Sequence, residues 1–142
     1  MHDICEQLWE IRRLRLSAAN HYAWASEYMT RASYGMSTRR AVNVGGTGKC
    51  PLTDYAACYS RERKSAEQDR RAADERWTAC KQWVDALANL DARLLVECYY
   101  NCAMSWAEVR ATIKRSESAV YELHREALRS CNGMQAEAMF KK

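Results

Sequence analysis

Few residues in this chain stand where covalent or phosphate chemistry would need them. Gly45-Gly46-Thr47-Gly48-Lys49 has the glycines and the lysine of a phosphate-binding loop. The full pattern needs a glycine five positions before Gly48, and Asn43 stands there. Cys50 follows the lysine, where Ser or Thr would hold a magnesium ion, and no strand pattern precedes the segment. It reads instead as a basic loop carrying Arg39, Arg40 and Lys49. Cys98 and Cys102 lie four apart on one helical face, and His2 is close to Cys5. Neither spacing is that of a zinc site, so buried thiols are the expectation and no metal is assigned. His2, His21 and His124 are scattered, and no Ser/His/Asp or Cys/His relay follows from their positions. His124 reads as a polar face residue or a helix contact, not a catalytic base. The chain is thus expected to be no enzyme and to carry no cofactor.

Composition says what scaffold could position anything else. The chain has 142 residues, 48% of them hydrophobic, with one proline and five glycines. That is enough apolar material for a core and few turn residues, which favours long helices. Net charge is +4, split as +3 over residues 1–53, −1 over 54–103 and +2 over 104–142. A basic excess at both ends is compatible with nucleic acid. Seven cysteines, an odd count, and a charged N-terminus without a signal-peptide pattern point to a reduced compartment. The expected location is the cytoplasm of a bacterial host cell. No apolar run approaches a membrane span, so no membrane partner is expected.

Periodicity then places the elements. Ile4, Leu8, Ile11, Ala18, Tyr22, Ala25 and Met29 trace an apolar stripe, which predicts a helix over 4–34 with Arg12, Arg13 and Arg15 mostly off it. Residues 35–52 hold Gly35, the three clustered glycines and Pro51, and predict a loop. Thr53 and Asp54 resemble a helix start, and the next helix is expected to reach about residue 88. Its stretch Ser60–Arg76 is almost wholly polar, while Trp77, Cys80, Trp83, Val84 and Leu87 restore apolar spacing. The two helices are expected to pair as an antiparallel hairpin or coiled-coil arm. Trp9, Trp24, Trp77, Trp83 and Trp106 fall near helical spacing and read as packing residues.

The last third of the chain is the informative one. Asn89-Leu90-Asp91 is a break with Asp91 as the expected cap of a helix over 92–101. Ser105 with Glu108 is the S-x-x-E capping box, in which each side chain satisfies a backbone N–H at the helix start. That helix is expected to end near Ile113, with a tight turn at Lys114-Arg115. Ser116 would cap a longer helix reaching about Ser130 and stopped by Asn132-Gly133. A short capped helix, a turn of about three residues and a longer capped helix make the helix-turn-helix plan. Trp106, Val109 and Ile113 would face inward on the first helix, and Val120, Leu123, Ala127 and Leu128 on the second. Glu117, Ser118, Tyr121, Glu122 and Arg125 are left outward, where they could meet base edges. Arg110, Lys114, Arg115, Ser116 and Arg129 could meet phosphates.

The strings Ser105-Trp106-Ala107-Glu108-Val109, Ser116-Glu117-Ser118-Ala119-Val120-Tyr121 and Leu123-His124-Arg125-Glu126-Ala127-Leu128 resemble the fourth region of bacterial sigma factors. They are closer still to the sigma-like regulators of phages and prophages of the RinA and ArpU types. The resemblance covers roughly the last third of the chain, and Leu94-Leu95 fits the family's lead-in helix. Where the family has a small alanine after its Glu-Ile pair this chain has Arg110, and where it has a turn glycine this chain has Lys114. A lysine held at positive φ there costs ~1 kcal/mol relative to glycine.

The fold expected is all-α: a helical arm over 1–90 with the loop 35–52, a helix-turn-helix over 91–131, and a tail over 132–142. The resemblance implies a sequence-specific, DNA-binding transcriptional regulator of phage or prophage origin, of the kind that activates late genes. Its partners would be double-stranded DNA and a second copy of the chain in a homodimer or higher homo-oligomer, since single helix-turn-helix modules usually bind as pairs. Two alternatives stay open. One is a DNA-packaging protein like a phage terminase small subunit. The other is a helical adaptor or inhibitor that acts on RNA polymerase.

Overall fold

The computed structural model describes residues 3–37 and 52–140. Among them there is no strand, and the fold is all-α. The elements are α1 (Ile4–Ser37), α2 (Leu52–Asp85), α3 (Leu90–Val96), a π-helical turn (Glu97–Asn101), α4 (Trp106–Ile113) and α5 (Glu117–Phe140). Arg39, Arg40, the glycine cluster, Lys49 and Cys50 lie outside the described residues, as does His2. No described helix is long and apolar enough to cross a membrane.

Several boundaries differ from the expected ones. The first helix runs through Gly35 to Ser37. The second helix, α2, starts at Leu52, one residue before Thr53, and Asp54 keeps its place in the first turn. The helix ends at Asp85, where the backbone tightens: Leu87 N–H donates to the Val84 carbonyl at 3.1 Å. The cap of α3 is Asn89, not Asp91. Asn89 Oδ1 accepts from the N–H groups of Asp91 and Ala92 at 2.9 and 3.4 Å, leaving Asp91 as the acid of the first turn. The last helix does not stop at Asn132-Gly133 but continues to Phe140. Glycine inside a helix costs about 1 kcal/mol, and the residues after it (Met134, Gln135, Ala136, Glu137, Ala138, Met139) are all strong helix formers.

The chain divides into two compact units. One unit holds the described residues up to Leu16 and from Arg71 onward, and the other holds Ser17–Arg70. In the first unit α3 packs on α5, and Leu8, Ile11, Leu95, Val96, Tyr100, Val109, Val120 and Leu128 are all but inaccessible to water. Gln7 accepts from Arg76 at 2.8 Å, and Arg15 pairs with Asp74 at 2.7 Å. Among the described residues of the second unit the buried ones are alanines: Ala18, Ala25 and Ala66. Ser17 donates to Asp69 at 2.6 Å, His21 meets Glu62 at 2.5 Å, and the Tyr28 and Tyr55 rings lie 6.3 Å apart. Partner numbers fall along α2 as they rise along α1, so the helices of this unit run antiparallel.

The apolar stripe of α1 is correct at Leu8, Ile11, Ala18 and Ala25. Tyr22 and Met29 are exposed, because a seam of alanines leaves no depth for long side chains beside it. Trp24 is exposed too, at 55%, whereas Trp9, Trp77, Trp83 and Trp106 pack against the core.

Candidate nucleic-acid interface

The α4–turn–α5 segment is built by local rules that its sequence carries. Ser105 is extended, and Glu108 N–H donates to its hydroxyl at 3.2 Å while Ser105 N–H donates to the Glu108 carboxylate at 3.3 Å. Both halves of the capping box are therefore made. Lys114 closes the helix in the left-handed region, at φ 62° and ψ 46°, with its N–H on the Arg110 carbonyl at 2.8 Å. A Cβ is unfavourable there, which is the strain expected of lysine at a glycine position. Ser116 then opens α5, its hydroxyl accepting from Ala119 N–H at 3.3 Å.

Packing sorts the two faces. Val109 is buried and Trp106 and Ile113 are half-buried on α4, and Val120, Leu123, Ala127 and Leu128 are buried on α5. Glu117, Ser118, Tyr121, Glu122 and Arg125 are exposed, as are Arg110, Lys114, Arg115, Ser116 and Arg129. At 100° per residue, the exposed positions Glu117, Tyr121, Arg125, Ser118, Arg129 and Glu122 fall within a sector of about 140° on α5. Some of these residues engage one another. Arg110 lies 3.8 Å from Glu117, and the Tyr121 hydroxyl donates to Glu117 at 3.2 Å. Arg115 instead pairs with Asp91 at the start of α3. These pairs are solvent-exposed and weak, so each cation can exchange its carboxylate for a phosphate at little cost.

Behind this face lies an aromatic cluster. Tyr99 stacks on Trp106 at 4.0 Å between centroids, and Trp106 meets Tyr121 edge-on at 5.2 Å. His124 is buried, not a face residue: its Nε2 lies 2.6 Å from the Tyr100 hydroxyl, and the two rings stack at 5.7 Å. Burial lowers its pKa to about 4, so the imidazole is neutral at neutral pH. Trp9 closes the cluster, edge-on to Tyr100 at 5.6 Å.

Sequence reasoning missed Arg12. Its Nη1 donates to the carbonyls of Tyr99 at 2.5 Å and Met104 at 2.9 Å, and its guanidinium sits 3.9 Å over the Tyr99 ring. Those carbonyls flank the exit of the π-helical turn, where Ala103 takes φ 55°. Arg12 thus holds the backbone that delivers Ser105 to its capping position. Arg15, one turn on, holds a side chain instead, its Nη2 donating to Asn101 Oδ1 at 2.7 Å. The sequence places both arginines mostly off the apolar stripe, and no local pattern marks an oxygen almost ninety residues away as their partner.

Cys98 is buried and its thiol pKa is raised by that burial, but Cys102 is exposed, against the expectation of two buried thiols. Among the described residues no three His, Cys, Asp or Glu side chains converge as metal ligands do. A concave feature lies in the Ser17–Arg70 unit, lined by Ser17, Asn20, His21, Trp24, Tyr28 and Glu62.

Comparison of this chain with family models, with curated proteins and with solved structures finds no match.

Proposed function

We propose that the chain is a sequence-specific, double-stranded-DNA-binding transcription regulator of phage or prophage type. It lays the N-terminal half of α5 in the major groove and acts without catalysis. One observation carries this reading: two capped helices joined through a left-handed residue at Lys114, with an apolar inner face and a polar outer sector at the start of α5. The resemblance to sigma-like phage regulators, on Ser105–Val109 and Ser116–Leu128, supports it. Ser118, Tyr121 and Arg125 read base edges, and Glu117 and Glu122 can accept from cytosine amino groups. Arg110, Lys114, Arg115, Ser116 and Arg129 contact phosphates. The protein works as a homodimer, because one short recognition helix reads too few base pairs alone.

The test is selection of duplexes from a random pool by the purified protein, followed by titration of the winner against salt. An enriched motif with steep salt dependence is expected. Arg125→Ala should cost ~1–3 kcal/mol on that motif and relax one position. Arg129→Ala should weaken all duplexes alike and lower the salt slope by about one. No enrichment and no salt-sensitive binding removes the DNA reading.

A protein-docking role, with RNA polymerase as partner, is the second reading. Leu90 and Leu94 favour it: they stand one turn apart on α3, 70% and 39% exposed. Retained polymerase capture with no DNA binding would establish it.

A further inference from the structure

We propose that the groove on the Ser17–Arg70 unit is a receptor for a guanidinium group, the head of an arginine side chain. The cavity measures about 360 Å³. That is near the low end of the ~300–1,000 Å³ found for ligand sites, so it suits one side chain or a molecule of that size. Its walls follow from the alanine seam. At 100° per residue, Ser17, Asn20, His21, Trp24 and Tyr28 share one sector of α1 beside Ala18 and Ala25. Glu62 reaches the groove from α2.

The chemistry of the lining selects the ligand. Of the two carboxylates that face the His21 imidazole, Glu62 lines the groove: His21 Nδ1 is 2.5 Å from Glu62, and Nε2 is 3.9 Å from Asp69. An anion would be repelled. A metal ion finds no convergent set of ligands among the described residues. Ser17 donates directly to Asp69 at 2.6 Å and not to His21, so no relay activates its hydroxyl as a nucleophile. What remains is a pair of flat aromatic faces beside a carboxylate. Trp24 and Tyr28 stand 6.4 Å apart at 34°, and Trp24 holds 55% of its surface in water.

An aromatic wall with a neighbouring carboxylate attracts an organic cation. A planar, weakly hydrated guanidinium can stack on the ring and pair with the carboxylate at once, which a compact ammonium cannot. Two sources can supply it. A second copy of the chain carries exposed Arg61, Arg63 and Arg70 on α2, so the unit holds both halves of a self-complementary contact. The other source is an arginine of a different protein. Guanidinium binding here asks nothing of the α4–α5 surface, so it stands or falls apart from the DNA reading.

The test titrates the full chain with N-acetyl-arginine amide and with its neutral isostere N-acetyl-citrulline amide, detected by saturation transfer to the probe. The arginine compound should bind about ten-fold more tightly, the preference expected of one cation–π contact with a charge pair. Glu62→Gln and Trp24→Ala should each abolish that preference. Trp24 is exposed, so its variant keeps the helical circular dichroism of the parent. Equal binding of the two probes, or a preference that survives both substitutions, overturns the proposal. Sedimentation separates the sources once the preference is seen. A dimer that the arginine compound dissolves assigns the guanidinium to a second copy. A chain that is monomeric throughout assigns it to another protein.

Discussion

The two compact units are made of similar-looking helix and bury different things. The unit that carries α3 to α5 hides leucines, valines, Ile11 and Tyr100, with an aromatic cluster around Trp106 and His124. Among its described residues the Ser17–Arg70 unit buries Ala18, Ala25 and Ala66, and it relies on Ser17–Asp69, His21–Glu62 and a ladder of partly exposed aromatics. Burial stabilises by roughly 25 cal/mol per Å² of apolar surface, so an alanine seam contributes little, whereas a core of large side chains contributes most of the stability. The first unit should be the more stable of the two, and the second the first to open.

That contrast can be broken in four places. Leu95→Ala, in the core of the first unit, should cost the most, about 2–5 kcal/mol by denaturant unfolding. A loss under 1 kcal/mol would show that this core is not the main support.

Acid should act through His124 in the same unit. Its pKa is about 4 in the fold against an ordinary 6.5, so the unfolded chain binds the extra proton first. Stability is complete above pH 6.5 and drains as pH falls towards 4, by ~3 kcal/mol at most. Unfolding of His124→Phe, followed over pH 4 to 7, should lack that component.

Ala66→Leu, at the seam of the other unit, should cost less, about 1–3 kcal/mol, by forcing the helices apart. Hydrogen exchange should show the loss confined to residues 17–70; protection lost equally near Leu95 would argue against separate units.

The smallest effect should be a gain. Lys114→Gly relieves the left-handed backbone and should add ~1 kcal/mol, read as a raised Tm. A drop in Tm would mean that the lysine side chain contributes more than its strain removes.

Much of α4 and α5 was legible because it rests on rules acting over three or four residues. A serine and a glutamate three apart close a capping box wherever they fall, and Val109, Val120, Leu123, Ala127 and Leu128 face inward by helical period alone. Misreadings came where a longer range decided. Asn89 and Asp91 are both good caps, and the geometry of the break selects the earlier one. Asn132-Gly133 is a proper stop, yet strong helix formers carry the chain past it. Tyr22 and Met29 have the right period for a core, yet both stay exposed beside a seam whose buried residues, among those described, are Ala18, Ala25 and Ala66.

By itself, then, the sequence determined the helices, their caps and the left-handed turn at Lys114, since these depend on backbone hydrogen bonds and torsions within a single turn. Only tertiary structure decided that Arg12 would hold the carbonyls of Tyr99 and Met104, that His124 would be enclosed and neutral, and that His21 and Glu62 would share a groove. Each of these is a contact between residues far apart in the chain, and its register is set by how side chains of unequal size fit together across a helix interface.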